Sequence, residues 1–174
     1  ILLMYSATAN RRRDLAVSKR YWLTLGEPWA YDSAIVTTCG GGGASHNGGP
    51  WKPKRLIDGV AAMAKSARKV GSRIPILILS FTSEPAAHIE CRESSILQRA
   101  GAICYELDDT VKLADGYGYP KITAIIAAPA RTVLYIDADA WFVENPDPLL
   151  RIARFGHTGA LFWPDYYNHF QLPS

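Results

Sequence analysis

The sequence predicts an α/β domain built on a mostly parallel sheet with helices on both faces. Three observations predict it. Short β-branched apolar runs carry no polar interruption, amphipathic stretches of helical period lie between them, and glycine, proline or aspartate stands where each run stops. Such alternation joins parallel strands through right-handed crossovers. A chain of 174 residues, 48% of them hydrophobic, is long and apolar enough for one domain with a core.

Residues 1–30 read as an irregular helical appendage in which Leu15, Tyr21, Trp22 and Leu25 share one face before Gly26 and Pro28 end it, and residues 31–174 read as the domain proper. Ala34 to Cys39 is a first buried strand, and the glycine-rich loop from Gly40 to Pro50 comes after it. Lys54 to Val70 has the spacing of an amphipathic helix, with Leu56, Val60, Met63, Ala64 and Ala67 inward. Pro75 to Phe81 is a second strand. Glu84 to Ala100 reads as a single helix closed by Gly101, and Ala102 to Leu107 as a third strand ending at Asp108-Asp109. A loop then leads to a helix from Pro120 to Ala128, with proline in its first turn and Ile122, Ile125 and Ile126 inward. Leu134 to Ile136 is a fully buried strand, Asn145-Pro146-Asp147-Pro148 a rigid turn, Leu149 to Arg154 a short helix and Thr158 to Trp163 a last strand.

Composition excludes several classes. The formal charge of +3 is mild, and the basic residues are scattered apart from Arg11-Arg12-Arg13, so no nucleic-acid partner is indicated. No apolar run approaches the roughly 20 residues that span a bilayer, so no membrane segment is expected in this chain, and Ile1-Leu2-Leu3-Met4 is too short for a signal-peptide core. A start without methionine and an end soon after an aromatic-rich segment suggest that one or both ends belong to a longer protein. Cys39, Cys91 and Cys104 contain no Cys-x-x-Cys pair. Cys39 and Cys104 fall in strand-like segments, where cysteine is most often a small buried hydrophobe, and one disulfide stays open.

The chemistry centres on Val133-Leu134-Tyr135-Ile136-Asp137-Ala138-Asp139, an apolar strand that ends in two carboxylates separated by one small residue. The carboxyl edge of a parallel sheet is where ligands bind, and paired carboxylates suit a hard divalent cation able to grip a diphosphate. Lys121, at the start of the preceding helix, is brought to the same edge by the crossover and can neutralise phosphates that a metal leaves uncovered. Gly40 and Gly41, after the first strand, let backbone amides approach a ligand. No frame completes Gly-x-Gly-x-x-Gly, since counting from Gly40 meets Ser45 and from Gly41 meets His46, so a dinucleotide enzyme is disfavoured. Trp163 and Asp165 in the aromatic tail are side chains of the kind that stack on and hydrogen-bond to sugars. As loop carboxylates, Asp137 and Asp139 are both expected to contribute little to folding.

Taken together, Lys121-Ile122-Thr123-Ala124-Ile125-Ile126, Val133 to Ala140, Asn145-Pro146-Asp147-Pro148-Leu149 and Gly159 to Asp165 resemble the core of the fungal Golgi α-mannosyltransferase family that builds outer mannose branches. The likeness runs over about residues 34 to 167. It implies a GT-A-like, Rossmann-type glycosyltransferase fold and a GDP-mannose donor. It further implies a glycan acceptor, retention of configuration, Mn2+ or Mg2+ as cofactor, and residence in the Golgi lumen. By the match, Asp137 and Asp139 stand at the metal-binding Asp-x-Asp motif, with Asp139 the more direct ligand, and Lys121 at the lysine ahead of it. No residue is nominated as a covalent nucleophile. Two other readings compete. A non-catalytic remnant of the fold could bind a partner through its aromatic tail. A haloacid-dehalogenase-type phosphatase also places Asp-x-Asp at a strand end, but there the motif comes after the first strand.

Overall fold

The computed structural model describes residues 2–6, 30–40, 53–108, 119–151 and 160–162. Along the chain the elements are β1 (Leu2–Ser6), β2 (Tyr31–Thr38), α1 (Pro53–Lys69), β3 (Ile76–Phe81), α2 (Pro85–Glu93), α3 (Ser95–Arg99), β4 (Ala102–Leu107), α4 (Tyr119–Ala127), β5 (Ala130–Ile136), a 3-10 turn (Asp147–Arg151) and β6 (Ala160–Phe162). They build one six-stranded sheet in the order β4-β3-β2-β5-β1-β6.

The four strands β4, β3, β2 and β5 are mutually parallel, and among the described strands only β1, antiparallel to both β5 and β6, breaks the pattern. The parallel strands at the centre are buried on both faces, which is why they read as continuous apolar runs rather than as alternation. On one face Ile35, Ile76, Ile78, Leu134 and Ile136 pack against Val60, Met63, Ala64 and Ala67 of α1, Ala87 and Cys91 of α2 and Leu97 of α3. On the other, Ala34, Val36, Leu77, Leu79, Val133 and Tyr135 pack against Ala124, Ile125 and Ala127 of α4. The expected three-layer α/β architecture, Rossmann-type in outline, is therefore the one observed.

Four local expectations are corrected. Leu2–Ser6 is a strand paired to β5 from Leu2 opposite Ile136 to Ser6 opposite Thr132, so the opening of the segment expected to be helical is part of the sheet. Its apolar run LLMYS is too short to show a period that separates helix from strand. The rest of that appendage, residues 7–29, lies outside the described residues. The single helix over residues 84–100 is two, because Ser94 adopts extended geometry and its hydroxyl accepts from the Leu97 amide at 3.4 Å, starting a new helix with its own cap. Gly101 closes it with φ +63°, as expected. On α4, Ile122 is exposed and the inward face belongs to Thr123, Ala124, Ile125 and Ala127, whose mostly small side chains let the helix lie close on β2. Lastly, Cys104 is not a free buried hydrophobe: it is disulfide-bonded to Cys91, tying β4 to α2, and Cys39 is the free buried cysteine.

Candidate active site

The crossovers through α1, α2 and α3 carry the chain from β2 to β3 to β4 on one face, whereas α4 returns it on the opposite face to β5, on the other side of β2. The strand order thus reverses between β2 and β5. In open α/β sheets the crevice outside the carboxyl ends of two such strands is the ligand site. Cys39-Gly40 leaves the end of β2 at this edge, and Asp137-Ala138-Asp139 leaves the end of β5.

The aspartate segment forms a defined turn. The Ala140 amide donates to the Asp137 carbonyl at 3.1 Å, closing a β-turn that leaves Asp139 exposed and Asp137 largely buried. Lys121, in the first turn of α4, puts its Nζ 2.6 Å from Asp137 Oδ1. Burial pushes the Asp137 carboxyl up, the hydrogen bond and charge of the Lys121 ammonium are among the influences that pull it down, and the carboxyl is held below its ordinary value. The crossover brings Lys121 to the paired aspartates as the sequence predicts, though the contact it makes is with one of the carboxylates. Gly40, with φ +93°, sits against Glu84 and Ala87, and the Glu84 carboxylate lies where a Cβ would be. Its positive φ and this packing are reasons for glycine that do not depend on the ligand approach expected for it. Gly41, Trp163 and Asp165 lie outside the described residues.

Past the turn, the chain is laid along α1. At Gly59 a Cβ would come within 2.5 Å of the Ala138 carbonyl oxygen, so the helix backbone and the aspartate turn touch directly. Two turns further along the helix, Ser66 Oγ accepts from the Phe142 amide at 2.9 Å. Beyond the end of α1, Asp147 accepts from Ser72 Oγ at 2.6 Å and from the Arg73 amide at 3.1 Å. Arg68 fixes that corner by donating to the carbonyls of Ala100, Ser72 and Ile74. Ala138, Ala140, Phe142, Leu149 and Leu150 pack on the same core face. Gly59 and Ser66 make these contacts without being singled out by the sequence pattern, and Asp147 is read there only as part of a turn. Gly59 alone left a signal, since a glycine inside a helical pattern costs stability unless something needs the space.

Among the described residues no three His, Cys, Asp or Glu side chains come together as a metal cage. The residues that could hold a divalent cation are the two strand-end carboxylates, Asp139 exposed and Asp137 paired with Lys121, since Mg2+ and similar ions take one or two carboxylates with substrate phosphates completing the shell. No helix among these residues is long and apolar enough to cross a membrane.

A family model described as "Mannosyltransferase putative" matches residues 57–173, which takes in α1 from Ile57 onward, the aspartate turn and the segment after it. Alpha-1,2-mannosyltransferase MNN5 of Saccharomyces cerevisiae, matched in two strains, is 24% identical over 118 residues, 64% of this chain. The chain spans about a fifth of the length of these relatives, 20%. No solved structure matches. With two thirds of its length under the family model, the chain belongs to this mannosyltransferase family.

Proposed function

We propose that the protein is a glycosyltransferase that moves mannose from GDP-mannose to a hydroxyl of a glycan acceptor, with a divalent cation and with retention of configuration. The observation that carries the reading is the Asp137–Ala140 turn, set at the carboxyl end of β5 where the strand order reverses and supplied with a cation by Lys121. Family membership and the likeness to a protein named as an α-1,2-mannosyltransferase support the sugar.

Asp139, exposed, is the carboxylate open to a cation from solution, and Asp137 can turn a second oxygen toward it. A bound Mn2+ or Mg2+ would supply Lewis-acid stabilisation of the diphosphate leaving group. Lys121 serves the same end from the other side. Its ammonium holds Asp137 ionised in the unliganded protein and is within reach of an anionic group entering the crevice. The α4 N-terminus adds the partial positive charge of its first-turn amides at the same edge. Gly40, whose φ of +93° favours glycine, turns the chain at the carboxyl end of β2 on the other side of the crevice. Residence in the Golgi lumen is proposed on the family likeness, and the Cys91–Cys104 disulfide fits an oxidising compartment.

The test is calorimetric titration with GDP, GDP-mannose and UDP, each with and without Mn2+, in the wild type and in Asp139→Ala. Mn2+-dependent, guanine-selective binding that disappears in the variant is the expected result. Binding of UDP in preference to GDP would replace the donor, and no nucleotide binding at all would overturn the enzyme reading.

A further inference from the structure

α1 and the aspartate turn approach more closely than two ordinary residues allow. A Cβ on Gly59 would meet the Ala138 carbonyl oxygen at 2.5 Å, its carbon at 3.3 Å and the Asp139 Cα at 3.8 Å. The first of these is shorter than any unstrained contact, and the obstructing atom is backbone, which cannot swing aside as a side-chain end would. Nothing in the helix itself asks for glycine here. Gly59 lies inside a regular 17-residue helix, where alanine is the better helix former. The space is needed by the turn.

We propose that Gly59 is a positioning residue for the aspartate turn: by letting α1 touch the Ala138 backbone it sets where Asp139 stands, and metal–nucleotide binding depends on that contact. The inference rests on the glycosyltransferase reading of the site. Ser66 is the second point of the same device, because its hydroxyl receives the Phe142 amide and fixes the segment just beyond the turn. A displacement of about 1 Å at such a ligand is enough to weaken binding by an order of magnitude or more. Gly59 itself touches neither metal nor nucleotide. It acts through Ala138.

The experiment compares wild type, Gly59→Ala and Ser66→Ala in three measurements. These are calorimetric affinity for GDP with Mn2+, the paramagnetic resonance spectrum of bound Mn2+, and hydrogen exchange of the Ala140 amide in the ligand-free protein. Expected for Gly59→Ala are an affinity lower by tenfold or more, an altered Mn2+ spectrum and faster Ala140 exchange, since the Ala140 to Asp137 hydrogen bond is the one that the displaced turn strains. Ser66→Ala should shift the same three readings in the same direction by a few-fold. Unchanged affinity and unchanged exchange in Gly59→Ala, together with the raised melting temperature that alanine alone would give, overturn the proposal. Should Gly59→Ala not fold, Ser66→Ala decides, and wild-type readings in it overturn the proposal equally. If the wild type itself binds no nucleotide, the functional reading falls with its dependent part, while the exchange data still judge whether Gly59 places the turn.

Discussion

Lys121 and Asp137 meet as an ion pair of 2.6 Å at the carboxyl edge of the sheet, where α4 begins and β5 ends. Both are more than two-thirds buried, so the pair is screened less than one on an open surface. The sign of its effect is fixed by the depressed carboxyl. A group whose folded-state value is below its unfolded one stabilises the fold above the unfolded value, here 3.8, and loses that contribution as pH falls through the folded value. Replacing Lys121 by methionine should therefore raise the Asp137 titration, as monitored by carboxyl carbon NMR, and cost about 1–2 kcal/mol at neutral pH, between the usual values for exposed and buried pairs. The deficit should vanish below the carboxylate range. A deficit that persists to pH 2 would mean that packing, not charge, is what Lys121 supplies.

The two aspartates should part company in stability. As loop carboxylates both are expected from sequence to be dispensable to folding. Asp137 departs from that expectation, being largely buried and paired, whereas Asp139 is exposed. Asp139→Ala should leave stability within the range of an ordinary surface substitution, about 0.5 kcal/mol, and abolish Mn2+-dependent nucleotide binding. Asp137→Ala should lose binding and also about 1–3 kcal/mol, because it removes the carboxylate that the largely buried Lys121 ammonium faces. Thermal melts of the two variants side by side settle the difference. Chelation of divalent ions should reproduce the Asp139→Ala binding defect without moving the melting temperature of the wild type.

Much of this arrangement is legible in the residues. The strands Ile76–Phe81 and Ala102–Leu107 and the helix Tyr119–Ala127 lie within a residue of where composition and punctuation put them, because each apolar run is bounded by a turn former. The meeting of Lys121 with Asp137 is a consequence of crossover handedness. The features hidden from the sequence are tertiary. Leu2–Ser6 could be placed as a strand only by its partners Ile136 to Thr132, and the Ser94 cap hides inside a run that keeps helical spacing on both sides. Gly59 looks like any helix glycine until the Ala138 carbonyl is seen against it, and Asp147 looks like a turn residue until Ser72 and Arg73 are found holding it.

Cys39 carries a pH dependence of opposite sign. It is fully buried, its thiol donates to the Ala87 carbonyl, and burial, with the nearby charges of Glu90 and Glu84, pushes it from 9.0 up to about 12. The unfolded chain therefore gives up this proton first, so stability is lost as pH rises from 9.0 toward 12. Native protein at pH 8 should resist iodoacetamide at Cys39 and react there only after unfolding. The stability advantage of the wild type over Cys39→Ala should narrow above pH 9.0, by up to about 1.4 kcal/mol per pH unit. An advantage that stays constant to about pH 10.5, measured by urea titration, would place the thiol in a wetter setting than its burial indicates.

The Cys91–Cys104 disulfide should act through the unfolded chain. It ties α2 to β4 over a sequence separation of 13, and closing a loop of that length removes unfolded-state freedom that amounts to about 3 kcal/mol in the chain-entropy model. For a protein of this size each kcal/mol moves the melting temperature by roughly 2–4 °C. Cys104→Ala should accordingly melt about 6–12 °C lower. The bridge sits at the far side of the sheet order from β5, with β3 and β2 between β4 and the aspartate turn. Nucleotide affinity measured well below the melting transition should therefore match the wild type. A drop in affinity at that temperature would show that the β4 edge is coupled to the turn through the sheet, and a melting temperature unchanged on losing the bridge would show that the reduced chain is already held by its packing.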